Sequence, residues 1–223
     1  MRTHATLVAF CVMVVGFAFA GSANAALIGF EGIAAANTQT TETNSTNTFN
    51  GFDVFVPHGH YQGLGFLQPD PSPSSGSDWL LHDHATGFAP NEPVEITVSG
   101  GGIFAVTSID ASEWDIAFGG GHTLTLTGHL SGGGTTMANF TTDDAFGFET
   151  FVVAGLAGFD NLVQLDIIGN SSNLGPCVDL AVCGSLGYDN IVASVVPLPP
   201  ALLLFGTGLS ALGFMMWRRR KAS

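Results

Sequence analysis

Two histidine pairs, His58-Gly59-His60 and His82-Asp83-His84, carry the most versatile side chains in this sequence. On a strand, positions i and i+2 share a face, so each pair can offer two imidazoles to zinc, copper or nickel. Four converging rings would make a metal site; histidines at a loop or strand edge beside glycine and proline are the plainer alternative. Carboxylates are plentiful: Glu92, Glu95, Asp110, Glu113, Asp115, Asp143 and Asp144. A glycosidase needs two of them at a defined separation with one raised pKa, which spacing alone does not supply. No Gly-x-Ser-x-Gly elbow, phosphate loop or zincin motif occurs, so a non-enzyme is expected.

Other residues suit binding. Trp79 and Tyr61 are candidates for stacking on sugar rings, whereas Trp114 alternates with Ile116 and Phe118 and is expected in the core. Thr123, Thr125 and Thr127 form an outward-facing threonine row on a strand. Cys177 and Cys183 lie in a Gly/Pro-flanked loop. In an exported domain the pair reads as a disulfide, contributing roughly 2 kcal/mol by loop closure. A two-cysteine metal site is the rival and lacks a second thiolate pair.

These residues sit on short alternating segments punctuated by glycine. Val94–Val98, Trp114–Phe118, Thr123–Thr127, Phe148–Val153, Leu162–Ile168 and Ile191–Val195 all have period two, and Leu27–Glu31 opens the series. Period two with β-branched and aromatic residues predicts an all-β sandwich. Asn37–Thr48 is almost wholly polar and is expected to be a mobile loop. Gln68–Asp78 reads as a Pro/Ser-rich loop within one domain.

The charges divide the chain. All five basic residues lie at Arg2, Arg218, Arg219, Arg220 and Lys221, while all 18 acidic ones lie between them. A domain so anionic argues against nucleic-acid binding. Met1–His4, apolar Ala5–Phe19 and the small-x-small site Ala23-Asn24-Ala25 read as a signal peptide, residues 1–25, cut after Ala25. An ectodomain over 26–195 follows. At the far end, Val196-Pro197-Leu198-Pro199 precedes the apolar run Ala201–Trp217, expected as one transmembrane helix roughly 25 Å long. The basic tail 218–221 is expected to stay cytoplasmic.

Val-Pro-Leu-Pro, an apolar helix ending Phe-Gly-Thr-Gly-Leu-Ser-Ala-Leu-Gly, a tryptophan and Arg-Arg-Arg-Lys together resemble the PEP-CTERM sorting signal, over residues 196–223. Leu198 stands where glutamate gives the family its name. The resemblance implies a Gram-negative bacterium, processing by an exosortase near the Pro-x-Pro element, and passage through the membrane to the cell surface or extracellular matrix, in association with exopolysaccharide. Gly29-Phe30-Glu31, Tyr61–Leu64, Ser108–Trp114, Thr123–Gly128 and Tyr188–Ile191 are similar to the ectodomains that often precede such tails. That likeness implies a jelly-roll-like β-sandwich akin to carbohydrate-binding modules, without known catalytic activity. In such sandwiches the first and last strands lie side by side, and acids at Glu31 and Asp189 could hold a structural calcium; solvated carboxylates are the alternative. No cofactor is otherwise required.

Overall fold

Alternation in the sequence becomes alternation in burial. Strand β5 (Val94–Val98) buries Val94, Ile96 and Val98 and leaves Glu95 and Thr97 half-exposed. The same holds for β7 (His122–Leu130), where Leu124 and Leu126 face the core and Thr123, Thr125 and Thr127 lie on the opposite face. The computed structural model describes residues 25–63, 76–82, 92–113, 122–143, 147–171, 186–197, 208–210 and 212. Among them are eleven strands and one continuous hydrogen-bonded network, an all-β architecture consistent with a sandwich. The other strands are β1 (Ala25–Ile28), β2 (Gln39–Phe49), β3 (Phe52–Gln62), β4 (Trp79–His82), β6 (Ile103–Glu113), β8 (Thr135–Thr141), β9 (Glu149–Val152), β10 (Leu162–Ser171) and β11 (Leu186–Val196).

The network runs β8-β7-β10-β5-β3-β4-β11-β6-β9, with β2 on β3 and β1 on β11. Its midpoint is a corner in β3. Residues 52–55 pair with β5, and residues 59–62 pair with β4. Between them stands Pro57, which has no amide hydrogen to donate, opposite Asn44, which has a positive φ of 49°. The two arms close on one core: the Phe52 ring of β3 meets Phe104 of β6 edge-on at 5.5 Å, although these strands are not neighbours.

The polar run expected as a loop is strand β2. Thr and Asn at nearly every position leave it little to bury, yet it pairs with β3 from Gln39↔Gln62 to Phe49↔Phe52. Its backbone ladder and threonine-rich composition hold it extended, and Phe49 anchors its end against Phe30 and Tyr61. The first and last strands do lie side by side, with Ala25↔Ser194 and Ile28↔Ile191 in antiparallel register.

A compact unit spans Asn24–Val195; Met1–Ala23 and Val196–Ser223 form a second. Of the latter, Val196 at the end of β11, Pro197, and Gly208–Ser210 with Leu212, as helix, are described. Among the described residues no helix is long and apolar enough to cross a membrane. The expected span 201–217, Leu198, Pro199, Arg218, Arg219, Arg220, Lys221, Ala23 and the Cys177–Cys183 pair otherwise lie outside the described residues. So do Trp114, Asp115, Asp144 and His84.

Candidate functional site

Three acidic side chains gather at one end of the β unit. Glu113 ends β6 and is fully buried. Ladder pairing of Ala111 with Glu149 brings the start of β9 to the same place. Asp143 follows β8, and its amide donates to Glu149 Oε1 at 3.0 Å. One carboxylate oxygen from each of Glu113, Asp143 and Glu149 lies within 4.8 Å of the others. Thr142 fixes the neighbouring strand, accepting from the His122 amide at 3.0 Å while its own amide donates to the His122 carbonyl. His122 is buried, and among the described residues its Nδ1 has no hydrogen-bond partner. His82, paired with Leu186 at the start of β11, stands at this end too.

Three carboxylates this close repel one another, and no lysine or arginine exists between residues 3 and 217 to offset them. Burial first, then the charges of Asp143 and Glu113, push the Glu149 carboxyl above its ordinary range, partly countered by the Asp143 amide. Oxygen donors of this kind suit a hard cation such as calcium. Sequence spacing could not reveal the grouping: 113, 143 and 149 meet only through the β6–β9 and β7–β8 ladders, and Glu149 was not among the candidates.

A second polar group lies on the outer face of β5, β10 and β7. Glu95 pairs directly with Asp166, and His129 Nε2 lies 2.7 Å from Asp166 Oδ2. The amide of Gln164 donates to Asp166 Oδ1 at 2.7 Å. Burial and the Asp166 charge raise the Glu95 pKa, and His129 offsets part of that.

The histidine pairs do not converge among the described residues. His58 and His60 share one face of β3, while His82 pairs with Gly59 and therefore faces the other way. His60 Nδ1 is 3.1 Å from Thr41 Oγ1, and His58 Nε2 is 3.7 Å from Glu92. Asp110 is structural as well, accepting from Thr150 of β9 at 2.6 Å and from Asn190 of β11 at 3.0 Å.

The aromatic candidates are corrected. Trp79 is 2% exposed, packs edge-on against Phe148 at 5.7 Å, and lies so near Gly187 that a Cβ there would sit 2.8 Å from its ring. Tyr61 is fully buried between Phe30 and Phe49, and burial pushes its phenol up to about 12. Neither can stack on a sugar, and no described aromatic is exposed.

Glu31 and Asp189 flank Gly29: a Cβ there would lie 3.9 Å from Glu31 Cγ and 4.0 Å from Asp189 Oδ1. Glu31 is exposed and Asp189 is buried. Both Asp189 oxygens are engaged by the chain, Oδ1 by the Asn190 amide at 2.8 Å and Oδ2 by the Ser77 hydroxyl. Neighbouring Asp78 accepts from the Gly32 amide at 2.8 Å. Asp78 thus ties the turn after β1 to the segment before β4, and Asp189 ties that segment to β11. A cavity of about 340 Å³ between Ala105–Thr107 and Val153–Asp160 holds one carboxylate and no histidine, and offers little chemistry.

No protein-family model matches the chain, and no curated protein does. Among solved structures it is similar to a DUF4465 family protein from Bacteroides ovatus ATCC 8483, with a TM-score of 0.44 and 8% identity over 78% of this chain and 100% of that one. It is also similar to the enzymatically active domain of bacteriophage CBA120 tailspike protein 4, with a TM-score of 0.27 and 12% identity over 78% of this chain and 19% of that one. At such scores neither likeness carries an argument about function.

Proposed function

We propose that this protein is an exported, non-enzymatic component of the cell surface or extracellular matrix of a Gram-negative bacterium, sorted through a PEP-CTERM-like tail by an exosortase and associated with exopolysaccharide. One geometric observation supports the reading most. Ala25 at the start of β1 pairs with Ser194, two residues before Val196. Residue 25, at the expected leader cut, and Ser194, just before the expected sorting tail, are therefore partners in one ladder. β11 starts at the opposite end, where Leu186 pairs with His82 and where Glu113, Asp143 and Glu149 gather. Its eleven residues span roughly 33 Å. Intact mass and fractionation of the native protein, with and without its exosortase, test the reading. Loss of the tail and release from the membrane only when the exosortase is present is the expected result; an unprocessed cytosolic chain would overturn it.

A second reading, a carbohydrate-binding module, now draws on the row of Glu95, Asp166, His129 and Gln164, whose acceptors and donors suit sugar hydroxyls. Binding on a glycan array that Asp166→Asn abolishes is its test. The structural calcium attached to that reading, at Glu31 and Asp189, would have to displace Ser77 from Asp189. A rise in Tm with millimolar calcium, absent in Asp189→Asn, is the result it requires.

A further inference from the structure

We propose that the outer edge of β8 is a self-association surface, where a second copy of this chain adds its own β8 antiparallel and continues the sheet across a two-fold axis. β8 heads the strand order, and among the described residues it pairs with β7 alone. Its inward residues mark the same margin: Thr136, Ala138 and Phe140 are only half-buried, whereas Leu124 and Leu126 of β7 are fully buried. Ladder parity fixes which groups face out. Leu130 donates its amide to the Gly134 carbonyl and Thr142 donates its amide to the His122 carbonyl, so the even-numbered residues of β8 turn their backbone groups to β7. Thr135, Met137, Asn139 and Thr141 turn theirs to the open side. Other strands carry a device against pairing there. β2 bears Glu42 and the positive φ of Asn44, and β9 has four residues and starts with Glu149. β8 has seven residues, without charge, proline or positive φ, in unbroken register with β7.

Charge selects the occupant. The unit holds 18 carboxylates and no lysine or arginine, so a cationic partner would be drawn to the acids. An equally anionic copy can approach only where they are missing, and β8 is such a margin. The strand is also complementary to itself. With the axis at Ala138, Thr135 of one copy faces Thr141 of the other and Met137 faces Asn139, each pair exchanging two backbone hydrogen bonds. On the inner side Ala138 meets Ala138, where the spacing is tightest, and Thr136 meets Phe140. Phe140 packs against Phe151 of β9 at 5.2 Å on the same margin, and both rings are half-buried. A second copy covers them, together with Met137, which is 64% exposed. Such a contact lies near the lower limit for a specific interface, about 1,000 Å², so association is concentration-dependent.

The test uses the full chain in detergent carrying Ala138→Cys, with disulfide formation on mild oxidation read on a non-reducing gel and mapped to position 138 of both copies. The axis puts these α-carbons about 4.5 Å apart, within disulfide reach, whereas position 141 lies roughly 20 Å from its counterpart. Ala138→Cys should therefore give a covalent dimer about tenfold faster than Thr141→Cys or wild type. The rate should rise between about 0.05 and about 0.5 M sodium chloride, which screens the repulsion. Met137→Pro and Met137→Glu, each added to Ala138→Cys, should slow the reaction about tenfold. The first removes an outward amide that β7 does not use, and the second puts a carboxylate on the edge. Far-UV spectra report whether each variant keeps its fold, and Met137→Glu decides the matter if the proline unfolds the strand. Equal rates for Ala138→Cys and Thr141→Cys, or a rate unchanged by Met137→Glu, would overturn the proposal. So would a chain that never forms the covalent dimer, which leaves the edge to a strand from another protein.

Discussion

Gln62 is fully buried, and among the described residues neither its carbonyl oxygen nor its amide nitrogen has a hydrogen-bond partner. An orphaned amide costs free energy that an apolar group of similar shape does not, so Gln62→Met should raise stability by about 1 kcal/mol in urea denaturation. Trp79 works in the opposite direction. Packed under Gly187 and against Phe148, it should cost roughly 3–5 kcal/mol on replacement by alanine, seen as a lower urea midpoint. At Glu149 the carboxyl pKa is raised on folding, so the folded chain holds that proton more tightly than the unfolded one. Stability from this group is therefore present at low pH and lost as pH rises through the folded pKa. Glu149→Gln should raise Tm at pH 7 by roughly 2 °C and flatten that pH dependence. Asp53 has the opposite sign: hydrogen bonds from Ser99 and Thr48 lower its pKa, so its contribution is lost on acidification.

Among the elements, β2 and β3 show most clearly what pattern can and cannot reveal. Period two located β5, β7, β10 and β11 because each buries one face and wets the other. Strand β2 has almost no apolar face, so its identity comes from the partner strand. Asn44 and Pro57 together make the corner at which β3 leaves one arm of the network for the other. Asn44→Gly should be tolerated within about 0.5 kcal/mol, because glycine accepts a positive φ; Asn44→Val should cost about 1–2 kcal/mol by thermal melting. The acidic group was legible in part. Glu113 and Asp143 stand out as acids, but Glu149 joins them only once β9 is laid against β6.

At the scale of the whole molecule, charge dominates. All 18 carboxylates lie in a unit without lysine or arginine, so ordinary ion pairs cannot form there and the acids mostly repel. Ion pairs that do occur involve histidine, as at His129 and Asp166. Raising sodium chloride from 0.05 to 0.5 M shortens the screening length and should increase Tm by about 3 °C. A fall in Tm over that range would show that attractive pairs outweigh the repulsion. The same anionic surface leaves hydrophobic burial and backbone ladders to hold the fold, and one continuous core from Ile28 to Ala193 provides them.

The residues alone determined the all-β class, the segregation of charge, and which strands alternate, because these follow from local periodicity and composition. Tertiary structure decided which side chains meet. It buried Trp79 and Tyr61, turned His82 away from His58 and His60, engaged Asp189 with Ser77, and gathered Glu113, Asp143 and Glu149. The physical reason is that ladder register and the corner in β3 fix these neighbours across long sequence separations, where no short-range pattern records them.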